Sequence, residues 1–175
     1  MVACDQARRP CTGTRLVWYD ECLTSGGIIA ASEALKDATS STTLADRITK
    51  MTSMTDTIWT TLLPFIASGL VLPTGCMDKK QRVCHHVSFC VYGAHRRDLI
   101  ASLEQDSNVL ASGGSACSSV SSLPSHVLAA MQVPLQYIHG SVRITISHTN
   151  TPEEITNTLC PALVKLLEKR SLMPL

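Results

Sequence analysis

One cysteine of the chain stands among residues that suit a reactive thiol. Cys117 lies in a run of small polar residues, Ser112-Gly-Gly-Ser-Ala-Cys-Ser-Ser119. A thiol that reacts has to be accessible, and it benefits from a backbone that is free to move. A buried structural cysteine would have apolar neighbours in a strand or helix pattern, and Cys117 has none. The segment therefore favours a reactive thiol, although a plain Ser/Gly linker with an incidental cysteine has the same composition.

A second candidate group is a guanidinium on a short strand. Val142, Ile144 and Ile146 alternate with polar residues, which predicts a half-buried strand. Because successive side chains of a strand point to opposite faces, Arg143 lies on the face away from the core. We therefore expect the Arg143 side chain to be available to a ligand or another part of the protein that lies against the polar face of the sheet.

A cluster of thiols and imidazoles raises the alternative of a metal site. Five such residues fall within fifteen positions, and they are Cys76, Cys84, His85, His86 and Cys90. Zinc ligands usually come in pairs two to four residues apart, and the cluster lacks a second pair of that kind. His86 and Cys90 share one face of a predicted strand, which leaves a partial site open. We therefore predict no metal site and keep the partial site as the alternative.

The elements that position these groups alternate between helix and strand. Apolar residues recur at spacings of three and four over residues 28–66, which predicts one long helix, or two in line, ending before Pro64. The serine and threonine run at residues 39–43 is its weak point. Further along, the pattern predicts a strand at 87–91, a helix at 96–104, a short strand at 109–111 and a helix at 124–131.

The last helix has a well-defined start. Thr151 is the predicted N-cap, Pro152 the first helical residue and Glu154 the partner in a capping box. The helix should continue to about Lys169 and bury five apolar residues, namely Ile155, Leu159, Leu163, Leu166 and Leu167. The resulting order, β-α-β-loop-α-β-α, predicts an α+β sandwich with helices on one face of the sheet.

Composition excludes several classes of protein. The chain has 175 residues, of which 45% are apolar, so it can bury a core and is not a disordered polar chain. The chain has fifteen basic and fourteen acidic residues, so it has no excess of positive charge with which to bind the phosphates of a nucleic acid. Since no run of about 20 apolar residues occurs, no membrane span is expected. Residues 1–22 lack the pattern of a secretory signal, which favours an intracellular, reducing compartment such as the cytoplasm or a mitochondrion-like organelle.

Four motifs in the C-terminal half resemble one family. They are Gly114–Ser119, Pro124–Leu128, Gly140–Arg143 and Asn150–Glu154, in the order and near the spacing of the C-terminal part of NifS-like cysteine desulfurases. These are pyridoxal-phosphate enzymes of the class V aminotransferase group. Upstream, Gly13-Thr14 resembles a turn of the same family.

The resemblance implies a fold and a division of the chain. The fold would be the small C-terminal α+β domain of a fold-type-I pyridoxal-phosphate enzyme, with an antiparallel or mixed sheet and a long preceding helix. Residues 1–27 would be a remnant of the large cofactor-binding domain, residues 28–66 the connecting helix or helices, and residues 67–175 the small domain with the mobile loop of Cys117.

The resemblance also implies roles for individual residues. Family members remove sulfur from L-cysteine, leaving L-alanine and a persulfide on the enzyme. Cys117 matches the loop cysteine that takes the sulfur, Arg143 the arginine that grips the substrate carboxylate, and Thr14 the threonine that binds the cofactor phosphate across a dimer interface. His126 and His139 match motif positions, and we assign them scaffold roles only.

The family's partners would be a sulfur acceptor or scaffold protein in iron–sulfur cluster assembly. A second copy of the chain or a full-length desulfurase would complete a dimer.

Departures from the family pattern limit what the chain is expected to do alone. No His-Lys pair and no glycine-rich phosphate loop occur in the sequence. Pyridoxal phosphate supplies the electron sink for C–S cleavage once a lysine anchors it, so the chain is expected to be inactive alone and not to hold the cofactor. It would be a truncated product, one half of a split enzyme or a degenerate copy. The alternative is a persulfide carrier or a regulatory partner of an active desulfurase, although a carrier has no need of Arg143.

Overall fold

A computed structural model describes residues 25–114 and 125–172. The chain divides into two units, residues 1–46 and 47–175. In the first unit, helix α1 (Ser25–Thr39) exposes Ile28, Ile29 and Leu35, and an ion pair of 2.6 Å joins Lys36 Nζ to Glu33 Oε1 on its surface. The periodicity predicts this helix correctly, but its apolar side chains are exposed.

Helix α2 (Ser41–Ala67) begins after a break at Ser40 and continues past Pro64. The prediction that the helix ends before Pro64 is therefore wrong. A proline removes one helical hydrogen bond, here the one to the Thr60 carbonyl. Thr60 is exposed, so water can take the place of the missing donor, and Ser68 N donates to Pro64 O at 3.1 Å to close the last turn.

Three antiparallel strands form the sheet in the order β1-β2-β3. They are β1 (Val71–Pro73), β2 (His86–Val91) and β3 (Ser141–Thr145). Both longer strands were predicted from alternation. The predicted strand at 109–111 is absent, and a single bridge between Ser112 and Arg143 takes its place.

One face of the sheet packs on the core. Val87 pairs with Ile144 and Phe89 with Val142, so these four buried side chains lie on the same face. The helices that complete the core are α2, α3 (Arg96–Ser107) and the C-terminal helix. They contribute Met54, Ile58, Leu62, Leu99, Leu103, Leu163 and Leu167. The expected α+β architecture is confirmed.

Two short helices, α4 (His126–Ala130) and α5 (Leu135–Ile138), precede β3. The C-terminal helix starts as α6 (Pro152–Glu154) with the predicted capping box, in which Glu154 N donates to Thr151 Oγ1 and Thr151 N donates to Glu154 Oε2.

A π-helical turn (Ile155–Leu159) then leads into α7 (Cys160–Ser171). Pro161 cannot donate a helical hydrogen bond, and the wider turn just before it accommodates the proline ring. All five apolar residues predicted for this helix are buried.

Among the described helices, none combines the length and apolar character needed to cross a membrane.

Candidate functional site

The second face of the sheet is polar, and it forms the floor of the candidate site. Ser88 pairs with Arg143 and His86 with Thr145, so these four side chains lie on the face opposite the core. Arg143 is exposed between the buried Val142 and Ile144. The alternation in the sequence placed Arg143 correctly.

Arg143 is tied to the residues that precede position 115. Its Nη2 donates to Gly114 O at 3.1 Å and to Ser112 Oγ at 3.3 Å. The backbones of Arg143 and Ser112 exchange two hydrogen bonds of 2.6 and 3.0 Å. Ser141 Oγ adds a bond of 2.7 Å to Gly113 O. The start of the Ser/Gly segment is therefore fixed to the strand that carries the arginine.

Two glycines make this arrangement sterically feasible. A Cβ at Gly140 would lie 2.2 Å from the carbonyl oxygen of Val91, a distance that no side chain tolerates. A Cβ at Gly113 would lie 3.0 Å from side-chain atoms of Arg96 and Ile100 on α3. Gly140 needs to be glycine because the backbone packs closely there, whereas a side chain at Gly113 would require Arg96 and Ile100 to shift by a few tenths of an ångström.

A cavity of about 880 Å³ opens over the polar face. Arg143, His86 and Ser88 line it, and so do Gly114 and Ser125, the last residue described before the Cys117 segment and the first after it. Its other described lining residues include Thr74, Cys76, Gln81, Arg82, His126, Leu128, Met131 and Ser141.

The electrostatics of the cavity keep one imidazole neutral. Partial burial lowers the pKa of His86, and the positive charges of Arg143 and Arg82 lower it further, with a smaller contribution from His85. His86 therefore has a ring nitrogen available to accept a hydrogen bond at neutral pH.

The described cysteines differ in their availability for chemistry. Burial raises the pKa of Cys90 to about 11, so this cysteine is poorly suited to act as a thiolate, and Cys160 is also buried. Cys76 is exposed and Cys84 is partly exposed. Over the described part of the chain, no three His, Cys, Asp or Glu residues group closely enough to hold a metal ion, so the metal alternative gains no support.

Only part of the site predicted from the sequence falls on described residues. Arg143 lines the cavity, and His126 lines it from the start of α4. Cys117 and Thr14 lie outside the described residues. His139 instead lies at the end of α5, with its ring 6.3 Å from that of His95.

Sequence reasoning missed Arg82 as a cavity residue. It sits in a polar turn without periodicity, and only the folding of that turn brings it to the cavity.

The described residues do not fit the pyridoxal phosphate that the resemblance implies. Its anchor in this family is a lysine amine, and no described lining residue of the cavity is a lysine. Lys50 Nζ instead donates to His148 O at 2.8 Å, and Lys79 Nζ pairs with Asp56 Oδ2 at 2.7 Å. The described residues of the cavity therefore provide no amine to which the cofactor could be anchored.

Comparison with known proteins agrees with the motifs. The family model described as aminotransferase class-V matches residues 26–158. Cysteine desulfurase IscS of Clostridium botulinum is 34% identical over 103 residues, which is 58% of this chain and 25% of the relative. Cysteine desulfurase IscS of Methanosarcina thermophila is 45% identical over 65 residues, which is 36% of this chain and 16% of the relative. The chain thus spans about a quarter or less of the length of these curated relatives.

Solved structures show the same fold. The X-ray structure of a NifS-like protein from Rickettsia africae superposes with a TM-score of 0.61 at 20% sequence identity, covering 81% of this chain and 33% of that one. A second NifS-like protein gives a TM-score of 0.62, also at 20% identity, and covers 84% of this chain and 34% of the other.

Proposed function

The chain belongs to the class V aminotransferase family, and from this membership we propose that it forms the small-domain, sulfur-accepting part of a cysteine desulfurase. In this role Arg143 holds the carboxylate of L-cysteine and Cys117 takes the sulfur atom as a persulfide. The acceptor of that sulfur would be a protein of iron–sulfur cluster assembly.

The observation that carries the proposal is the position of Arg143 in the cavity. Its guanidinium is exposed on the polar sheet face, where a planar fork is suited to a carboxylate. The two described residues that border the Cys117 segment, Gly114 and Ser125, line the same cavity. A substrate held by Arg143 would therefore be close to both ends of that segment.

The cofactor has to come from elsewhere in this proposal. Cleavage of the C–S bond needs an electron sink, and the described residues offer no amine in the cavity to anchor one. A cofactor-binding large domain, whether joined to this chain or belonging to a full-length desulfurase partner, would supply the cofactor. Thr14 would contribute to the phosphate contact across such an interface.

We would test the proposal with a desulfurase relative whose own loop cysteine is replaced by serine. That protein holds cofactor and substrate but has no thiol to take the sulfur. We expect that adding this chain and L-cysteine produces alanine and an equal amount of persulfide on Cys117, measured by alkylation and mass spectrometry. The chain with L-cysteine and pyridoxal phosphate alone should produce neither.

Two variants control the experiment. Cys117→Ser should abolish the persulfide, whereas Cys84→Ser, which changes a thiol outside the cavity lining, should leave it unchanged. If Cys117 acquires sulfur only from the intact relative and never from the serine variant, the chain is a persulfide carrier and the proposal is wrong.

A further inference from the structure

One imidazole of the cavity lies beside the arginine to which the proposed function assigns the substrate carboxylate. His86 pairs with Thr145 and Ser88 pairs with Arg143, so His86 and Arg143 are diagonal neighbours on the polar face of the sheet. Diagonal neighbours have Cβ atoms about 7 Å apart, which long side chains can bridge. Both residues line the cavity. A ligand that binds one of these side chains is therefore within reach of the other.

Both side chains keep hydrogen-bonding capacity for a ligand. Arg143 Nη2 donates to Gly114 O and Ser112 Oγ, but no described residue accepts from its Nε or Nη1. No described residue forms a hydrogen bond with the ring nitrogens of His86 either. A carboxylate has two oxygens and about four lone pairs, so it can accept from a guanidinium and from a further donor at once.

The charge around His86 has one sign before a ligand binds. Partial burial lowers the pKa of His86, and the charges of Arg143, Arg82 and His85 lower it further. The remaining titratable residues of the described cavity lining are Cys76 and His126, and none is an aspartate or glutamate.

A carboxylate bound to Arg143 would change this balance. It would bring a negative charge beside the ring, and an opposite charge within about 4–6 Å favours the charged form of a titratable group. The protonated ring has a donor on both nitrogens, and one of them can serve the carboxylate.

We propose that His86 is a second contact for the carboxylate held by Arg143, and that its ring takes up one proton from solvent when the carboxylate binds. The inference rests on the proposed function for the identity of the ligand, the carboxylate of L-cysteine. Because coupling between two binding events is reciprocal, the carboxylate then binds more tightly as the pH falls and protons become available.

The first test follows the protonation of His86 directly. Butyrate is L-cysteine without its amine and with a methyl group in place of the thiol, and butyramide is its neutral counterpart. We would titrate the full chain with acid and record the Cε1–H resonance of His86, assigned by through-bond experiments so that no variant has to fold. Saturating butyrate should raise the titration midpoint by about one pH unit, whereas butyramide should not raise it. Equal midpoints with the two ligands would overturn the proposal.

The second test measures the affinity for butyrate at two pH values. Wild type should bind it about fivefold more tightly at about pH 5.5 than at about pH 8, as a shift of about one pH unit in the His86 midpoint requires. His86→Asn should bind it equally at both. The matched control is His148→Asn, which removes an exposed imidazole outside the described cavity lining and should keep the wild-type dependence. If His86→Asn keeps the dependence, or His148→Asn loses it, another group takes up the proton and the proposal is wrong.

Arg143→Gln separates failure of this inference from failure of the proposed function. It should lose butyrate binding at both pH values, and unchanged binding would contradict the carboxylate clamp of the proposed function. Binding that depends on Arg143 but is equally tight at both pH values would overturn only the proton uptake by His86. If wild type binds no butyrate at either pH, both fail.

Discussion

At the scale of single residues, the cavity over the polar sheet face is lined by two cations, Arg143 and Arg82, and by the neutral imidazole of His86. Partial burial disfavours a positive charge on His86, and the charges of Arg143 and Arg82 add to the effect. The imidazole can therefore accept a hydrogen bond in a cavity whose described lining includes two guanidiniums.

The neutral state of His86 predicts a pH dependence of stability. Its pKa is lowered in the folded chain, so below about pH 6.5 the unfolded chain binds more protons. The stabilisation is fully present above that pH and is lost as the pH falls toward the lower, folded value. We expect His86→Gln to lose less unfolding free energy than wild type between about pH 7.5 and about pH 5, measured by urea titration.

The control for that measurement is His148→Gln, which removes an exposed imidazole. The unfolding free energy of this variant should change with pH as that of wild type does. If the unfolding free energies of His86→Gln and wild type change in parallel over this pH range, burial and the two guanidiniums do not lower the pKa of His86 as described.

At the scale of elements, the start of the C-terminal helix is the best-determined local feature. Thr151 and Glu154 satisfy each other's backbone N–H groups, and Asn150 Nδ2 donates to Glu154 Oε2 at 3.1 Å. The Asn150 side chain and the Thr151 N–H lower the pKa of Glu154, which keeps it ionised.

Removing the N-cap should destabilise the chain. We expect Thr151→Ala to lower the free energy of unfolding by about 1 kcal/mol, because the N–H of Glu154 loses its acceptor. Thr158→Ala, at an exposed position of the same helix, should change it by less than about 0.5 kcal/mol. Chemical denaturation of both variants measures the difference, and equal losses would mean that the cap contributes nothing.

At the scale of the whole molecule, the core joins the apolar sheet face to three helices. Leu163 on α7 is fully buried in it, whereas Leu172, just beyond the same helix, is 86% exposed. Core packing, and not helix propensity, therefore determines how much each of these leucines contributes to the free energy of unfolding.

This contrast gives a prediction for two identical substitutions. Leu163→Ala should cost about 2–5 kcal/mol of unfolding free energy, since it leaves a cavity in a closed core. Leu172→Ala should cost less than about 0.5 kcal/mol. Urea titrations of the two variants test this, and similar midpoints would show that α7 does not pack as described.

The sequence alone determined the features that depend on local pattern. Alternation predicted β2 and β3 and the face of Arg143, and the capping residues predicted the start of the last helix. The motifs identified the family, because its residue types recur in the right order. These signals are readable because strand alternation and helix capping are properties of near neighbours in the chain.

Tertiary structure decided what depends on distant residues. Pro64 inside α2 and the bridge at Ser112 depend on how solvent and neighbouring strands satisfy backbone groups. Arg82 reaches the cavity only because its loop folds back on Thr74 and Trp59, 8 and 23 residues away in the sequence. No local pattern encodes such an approach, so the second cation of the site could be found only in the folded chain.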